Sequence, residues 1–279
     1  MTPLDAVMLA AALAAQPLVV DDVPLPIAPD VTEIEAVYLP LAEHIRSRTR
    51  DRRTVIGISG LPGSGKTIVA RVLVRILELL GEQPAFIGLD GFHLPNAVLY
   101  ARTFIDEEGR TLSLWHRKGR PDTFDAARFK ALLTELRRSS APVAFPAYSR
   151  ALHDSVEGAI VVMPEQRIII AEGNFLFYEQ GDWAGLSDLF DLRLFVDTPI
   201  EACTENLRAR HTRGGRDPAD VEYHMKVVDL ANMPLILPTR ARAHAIIKKA
   251  DGRRVVALLW KMPGDANENS GVISFRRHT

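Results

Sequence analysis

One cysteine, Cys203, stands in a chain of 279 residues, so no disulfide can form within it. That scarcity points to a reducing, cytoplasmic location. Long apolar runs are lacking as well, so no membrane-spanning helix is expected. Residues 6–20 are rich in Ala, Leu and Val, but the residues before them hold Asp5 and no Lys or Arg. A secretory leader needs a positive start, so this stretch is read as a helix of the folded protein. Surplus charge is absent: 34 Lys and Arg face 35 Asp and Glu, a formal net charge of -1. Neither nucleic acid nor an anionic membrane surface is therefore expected as a partner. The chain also lacks the guanine-reading pattern Asn-Lys-x-Asp of GTP-dependent switches. It has no internal repeat or extended low-complexity run. What remains is ordinary composition, 47% hydrophobic and 25% charged, in a chain long enough to bury a sizeable core.

Against that background one stretch stands out. Gly60-Leu61-Pro62-Gly63-Ser64-Gly65-Lys66-Thr67 matches G-x-x-x-x-G-K-[ST], a phosphate-binding loop. Thr54 to Ile58 before it is short, apolar and β-branched, as a buried parallel strand requires. The glycines let the backbone approach an anion closely. The loop amides then face a β-phosphate at the positive end of the helix that begins near Lys66. Lys66 can reach the β- and γ-phosphates, and the Thr67 hydroxyl can ligate Mg²⁺. ATP and Mg²⁺ are the expected cofactors.

Gly81 ends the helical pattern, and Pro84 to Leu89 reads as a second strand. Strand, helix, strand is a parallel βαβ unit, and ligands bind at the carboxyl ends of such strands. Asp90-Gly91-Phe92-His93 falls at that edge, where the Asp90 carboxylate can accept the proton of an attacking hydroxyl or help hold the metal. Gln166 to Ala171 reads as a buried central strand that ends in Glu172 on the same edge, where a lone buried carboxylate would be costly without a cation. Leu192 to Asp197 is a further strand. Ile200 to Arg210 is a helix, with Thr198 as its cap and Pro199 in its first turn. Asp217 to Leu230 reads as another helix, and Ala243 to Ile247 and Arg254 to Leu259 as late strands. Upstream, residues 21–30 hold three prolines and read as a linker. Thr32 to Arg48 reads as an amphipathic helix that Pro40 should kink or split.

The phosphate loop followed by Asp90-Gly91-Phe92-His93 resembles the phosphoribulokinase, uridine kinase and pantothenate kinase family. Arg117 to Asp125, Pro146 to Arg150 with His153-Asp154, and Ile168 to Asn174 resemble further blocks of that family in the same order. The resemblance implies a three-layer α/β phosphate-loop fold with a mostly parallel central sheet and a lid. It implies a kinase that moves the γ-phosphoryl of ATP to a hydroxyl of a small metabolite, with a nucleoside or sugar first and a pantothenate-like acceptor next. Asp90 would act on that hydroxyl, and Glu172 would help hold Mg²⁺ with Thr67.

Asp122, Tyr148 and His153 would contact the acceptor, with His93, Arg150 and Asn174 as further contacts. For Asp122, substrate contact and loop structure both stay open. Asp125 reads as the cap of the helix Ala126 to Arg138. The basic run Arg208 to Arg216 looks like the lid of small-molecule kinases, hinged at Gly214-Gly215, with Arg208 and Arg210 chosen as catalytic by resemblance. Asn232 lies where related chains carry an Asn-Pro segment near the nucleotide, although Met233 interrupts it. The expected divisions are a helical extension over 1–50, the kinase domain over 51–262 with its lid at about 208–217, and a tail over 263–279. A homodimer is compatible with this reading. The rival is a phosphate-loop ATPase or nucleotide-dependent switch with no acceptor.

Overall fold

The computed structural model describes residues 5–20, 23–25, 27–49, 52–214 and 217–261. The expected tail over 263–279 and two residues of the expected lid, Gly215 and Arg216, lie outside these. Six strands form the central sheet: β1 (Thr54–Gly60), β2 (Ala85–Gly88), β3 (Ile168–Glu172), β4 (Leu192–Asp197), β5 (Ala245–Lys249) and β6 (Val255–Trp260). Their spatial order is β2-β3-β1-β4-β5-β6. All neighbours run parallel except β5 and β6. Every residue of β1 and β3 is buried, which is why both read as unbroken apolar runs rather than alternating ones.

Side chains alternate between the two faces of a strand, so β1 feeds two cores. Ile56 and Ile58 pack with Leu73 and Ile76 of the helix Lys66–Leu79, and with Leu9, Ile34 and Ile45 from upstream. Val55 packs on the other face with Phe129 and Leu133 of the helix Ala126–Arg138 and with Phe175 and Phe177. The result is three layers, helix on sheet on helix. Each of these fully buried side chains contributes about 1.5–3 kcal/mol of transfer free energy.

The upstream segment shares this core. Asp30 and Glu33 form a capping box at the start of the helix that runs from Val31. The Glu33 carboxylate also accepts from the Val255 amide at 2.7 Å, tying the helix to β6. Within the expected linker, Leu18–Val20 pairs antiparallel with Val23–Leu25. Pro24 fits there because it sits in an isolated two-stranded ribbon, with no central ladder to interrupt.

Pro40 does not split its helix. A proline clashes with the carbonyl four residues before it. For Pro40 that residue is Ala36, inside the π-turn Ile34–Tyr38, and the widened turn carries the helix through to Arg48. The device recurs: Pro234 lies inside a helix, and Leu230 four residues earlier closes the π-turn Met225–Leu230.

Among the described residues, the strand Asp154–Val162 pairs only with Val143–Ser149, as a hairpin separate from the central sheet. One local expectation changes. Thr198 does not cap its helix: Pro199 takes the cap position with no side-chain bond, and the Thr198 hydroxyl donates instead to the Ser64 carbonyl at 2.9 Å. Asp125 caps as expected, accepting from the Arg128 amide. No helix among the described residues is long and apolar enough to cross a membrane.

Candidate active site

The carboxyl ends of β1, β2, β3 and β4 meet at one edge of the sheet, because parallel strands bring their ends together. The phosphate loop leaves β1 there. Gly63 and Gly65 both have left-handed φ, at 77° and 78°. A side chain at Gly63 would lie 2.3 Å from the Cys203 carbonyl, so only glycine fits both the dihedral and the space.

The loop is tied down from behind. Asn206 donates to the Gly63 carbonyl at 3.0 Å. Lys249, at the end of β5, donates to the Ser64 carbonyl at 3.3 Å and to the Gly252 carbonyl at 2.7 Å. Lys249 is buried, and that burial pulls its pKa below the usual lysine range. Neither residue was singled out from the sequence, since both lie far along the chain with no motif around them. Cys203, packed beneath the same loop, is no nucleophile: burial pushes its thiol up to about 11.

Three of the expected groups converge at the mouth of the loop. Glu172 accepts from the Thr67 hydroxyl at 3.1 Å, and its other oxygen lies 3.7 Å from Lys66 Nζ. All three carry little exposure, so the charges see each other with weak screening. The Ser64 hydroxyl is buried with no hydrogen-bond partner, at the turn where a phosphate oxygen would be cradled. A glycine cradle, a buried unsatisfied hydroxyl, a lysine and a Thr–Glu pair are a donor set that fits a nucleotide phosphate and a hard, oxygen-ligated cation such as Mg²⁺.

Asp90 sits across the mouth in a single 3-10 turn, Leu89–Phe92, that follows β2. Gly91 brings that turn against the acceptor hairpin, where a side chain would meet the Pro146 carbonyl at 2.4 Å. The Asp90 carboxylate is 57% exposed toward the cleft and pairs with Arg150 at 3.5 Å. Desolvation by the crowded walls opposes its ionisation, but His93, Arg150, Lys66 and Arg210 together hold it below the usual carboxylate range. His93 stacks on Phe124 with ring centroids 4.0 Å apart and meets Tyr148 edge-on. Burial pushes its pKa down to about 4, so the ring is neutral at physiological pH. Its Nδ1 is buried without a hydrogen-bond partner.

The other residues expected at the acceptor divide. Tyr148 has the charges of Lys118 and Arg150 at 5.0 and 5.1 Å from its ring. Lys118 spends two of its three donors on Asn96 and the His153 carbonyl, at 2.7 and 2.8 Å. The Lys118 side chain is half-buried. The His153 ring is exposed at the hairpin tip, in a left-handed turn with φ 49°, and its carbonyl accepts from Lys118 and Asn96. Asp122 is ion-paired with Arg117. Asn174 gives its backbone carbonyl to the Ser59 hydroxyl at 2.9 Å, and its side-chain Oδ1 is buried with no partner. Asn232 is fully buried and grips the Arg117–Asp122 loop, donating to the Gly119 carbonyl and accepting from Arg120.

Of the two arginines chosen as catalytic, Arg208 pairs with Glu222, with both partners exposed. Arg210 is as exposed as Arg208, but it lies 4.0 Å from the buried Asp229, and its charge helps hold Asp90 ionised.

Fold and site together define a phosphate-loop kinase. The chain belongs to the Phosphoribulokinase / Uridine kinase family, whose sequence profile matches residues 55–255. It is similar to pantothenate kinase from Mycobacteroides abscessus, 30% identical over 79% of this chain and 81% of that one. Pantothenate kinase from Corynebacterium diphtheriae is 28% identical over 81% and 83%. Among solved structures, a protein provisionally assigned as a fructose transport system kinase from Silicibacter sp. TM1040 superposes with a TM-score of 0.63 at 28% identity, covering 72% of this chain and 94% of that one. The chain is a small-molecule kinase that phosphorylates a small metabolite.

Proposed function

We propose that this protein transfers the γ-phosphoryl of ATP to a hydroxyl of a small metabolite that also carries an anionic end. The observation that carries the reading is the meeting of Lys66, Thr67 and Glu172 with Asp90 at one sheet edge. Lys66 and the loop amides hold the phosphates, and Thr67 and Glu172 are the residues that would hold Mg²⁺, which when bound neutralises charge on the β- and γ-oxygens. Asp90, ionised at neutral pH, accepts the proton of the attacking hydroxyl. Arg210, whose charge reaches Asp90, is the arginine assigned to stabilise the phosphoryl in flight, whereas Arg208 is paired with Glu222.

The acceptor class follows from charge. Asp122 is neutralised by Arg117, which weakens it as a hydroxyl contact, whereas Lys118 keeps a donor free beside Tyr148 and Arg150. Lys118, with Arg150 beside it even though Arg150 is shared with Asp90, favours a carboxylate or similar anion over a neutral sugar. The pantothenate kinases among the relatives fit this preference; the fructose kinase-like neighbour favours an uncharged sugar as the second reading.

The test is ATP consumption with Mg²⁺ against hydroxy acids (pantothenate included), free sugars and nucleosides, with Lys66→Ala and Asp90→Asn alongside. Turnover dependent on an anionic acceptor and lost in both variants supports the reading. Turnover on neutral sugars or nucleosides alone overturns the acceptor class. ATP hydrolysis indifferent to every acceptor, and to Asp90→Asn, overturns the kinase mechanism and favours an ATPase or switch.

A further inference from the structure

A second cluster of chemistry-bearing side chains lies outside the catalytic edge. His211 is on the helix Ile200–Arg213, His224 ends the helix Pro218–His224, and Asp229 lies in the π-turn that follows. One ligand-capable atom from each lies within 4.8 Å of the other two. His211 and Asp229 are buried, and His211 Nε2 is 2.7 Å from Asp229 Oδ2. The two imidazoles meet edge to face with centroids 5.0 Å apart.

The π-turn is what makes the cluster. In a regular α-helix, residues five apart point about 140° away from each other. The wider i→i+5 turn brings them toward one face, and the ligand atoms of His224 and Asp229 lie within 4.8 Å of each other. Relief of Pro234 requires some irregularity near Leu230, but it does not require a His and an Asp at the two positions the wide turn aligns.

We propose that His211, His224 and Asp229 form a site for one divalent transition-metal ion of the zinc class. Two imidazoles and one carboxylate are a borderline-soft set that suits Zn²⁺ or Co²⁺ and not Mg²⁺, which demands oxygen ligands. The ion takes Asp229 Oδ2, while Arg210 keeps the other oxygen, Oδ1. Ligands about 2.0–2.1 Å from a tetrahedral ion stand about 3.3 Å apart, so His211 and Asp229 must part by about half an ångström. Three protein ligands leave a fourth position for water on the half-buried side of His224. The metal would add a tie between two helical segments already joined by the His211–Asp229 bond and the exposed Arg208–Glu222 pair.

The experiment uses the full chain without an affinity tag, stripped with a chelator. Co²⁺ is titrated with excess Mg²⁺ present and followed by visible absorption, and Zn²⁺ is then used to displace it. One equivalent with the intense bands of a tetrahedral site is expected. His224→Ala, chosen because His224 is only half-buried, should weaken binding by more than about 100-fold, beyond the loss of an outer-shell partner. Circular dichroism checks that this variant folds. Glu172→Gln should leave Co²⁺ binding unchanged, which separates this site from the nucleotide metal. Absence of tetrahedral Co²⁺ bands, or the same affinity in His224→Ala, overturns the proposal, whatever the kinase assay gives.

Discussion

The two halves of the catalytic cleft are built differently. The phosphate half rests on strands buried along their whole length, and its loop is pinned by Lys249, Asn206 and Thr198. The acceptor half rests on one 3-10 turn, a hairpin outside the sheet, and charges that are 43% exposed at Arg150 and 57% at Asp90. A rigid nucleotide cradle facing a softer acceptor wall lets one fold keep its phosphoryl donor while the acceptor changes. Changes in the acceptor half should therefore alter turnover and leave ATP binding intact. Changes in the phosphate half should alter ATP binding and stability together.

The largest effect should come from Asp90→Asn. It is close to isosteric and removes only the proton acceptor, so kcat should fall about 10²–10⁴-fold. ATP affinity, read by equilibrium dialysis, should stay within about twofold. The same carboxylate sets a pH profile: since its pKa is lowered, activity should be flat through neutral pH and fall only when acid protonates it. A kcat that survives the substitution would break the division of labour just drawn.

His93 comes next, through stability. Its imidazole is held neutral down to about pH 4 in the fold, while an unfolded histidine takes a proton near 6.5. Between those values the unfolded chain binds more protons, so stability is full above about 6.5 and is lost as pH falls toward 4. The loss reaches about 3 kcal/mol. Urea midpoints at pH 7 and pH 5 should differ for the native chain, and the difference should shrink in His93→Phe.

Lys249→Met probes the phosphate half. Ser64 keeps the Thr198 hydroxyl as a partner, but the Gly252 carbonyl loses its lysine. The cost should be about 1–3 kcal/mol in stability, with a KM for ATP raised about tenfold and kcat little changed. A change in kcat alone would show that Lys249 acts on the transferred group rather than on the loop.

The same contrast explains what could be read from the residues alone. The phosphate loop, its strand and its helix are one local unit, fixed by spacing over a dozen residues, and they came out as expected. Asp90 and Glu172 followed from strand ends, because parallel topology places such ends together. Lys249 and Asn206 were invisible: each reaches the loop across about 140–185 residues of chain, and nothing local marks it. Asp122 could not be resolved between contact and structure, since only the fold shows Arg117 closing on it. Arg208 and Arg210 are two residues apart on one helix, so they face different directions, and the sequence could not say which one acts on Asp90.

That last pair holds the smallest expected effect and the sharpest contrast. Arg208 and Glu222 form an exposed, solvent-screened ion pair, so Arg208→Ala should leave the melting temperature unchanged and kcat within about twofold. Arg210 is also half-exposed, yet its charge reaches Asp90 and it lies 4.0 Å from the buried Asp229. Arg210→Ala should therefore lower kcat by about 10³-fold or more if it neutralises the phosphoryl in flight, with little change in melting temperature. Lysine at 210 should restore part of the rate, because charge is kept while the planar fork is lost. If the two alanine variants behave alike, the field that Arg210 exerts on Asp90 has no catalytic meaning, and the acceptor half must find its stabilising charge in Arg150 or Lys118 instead.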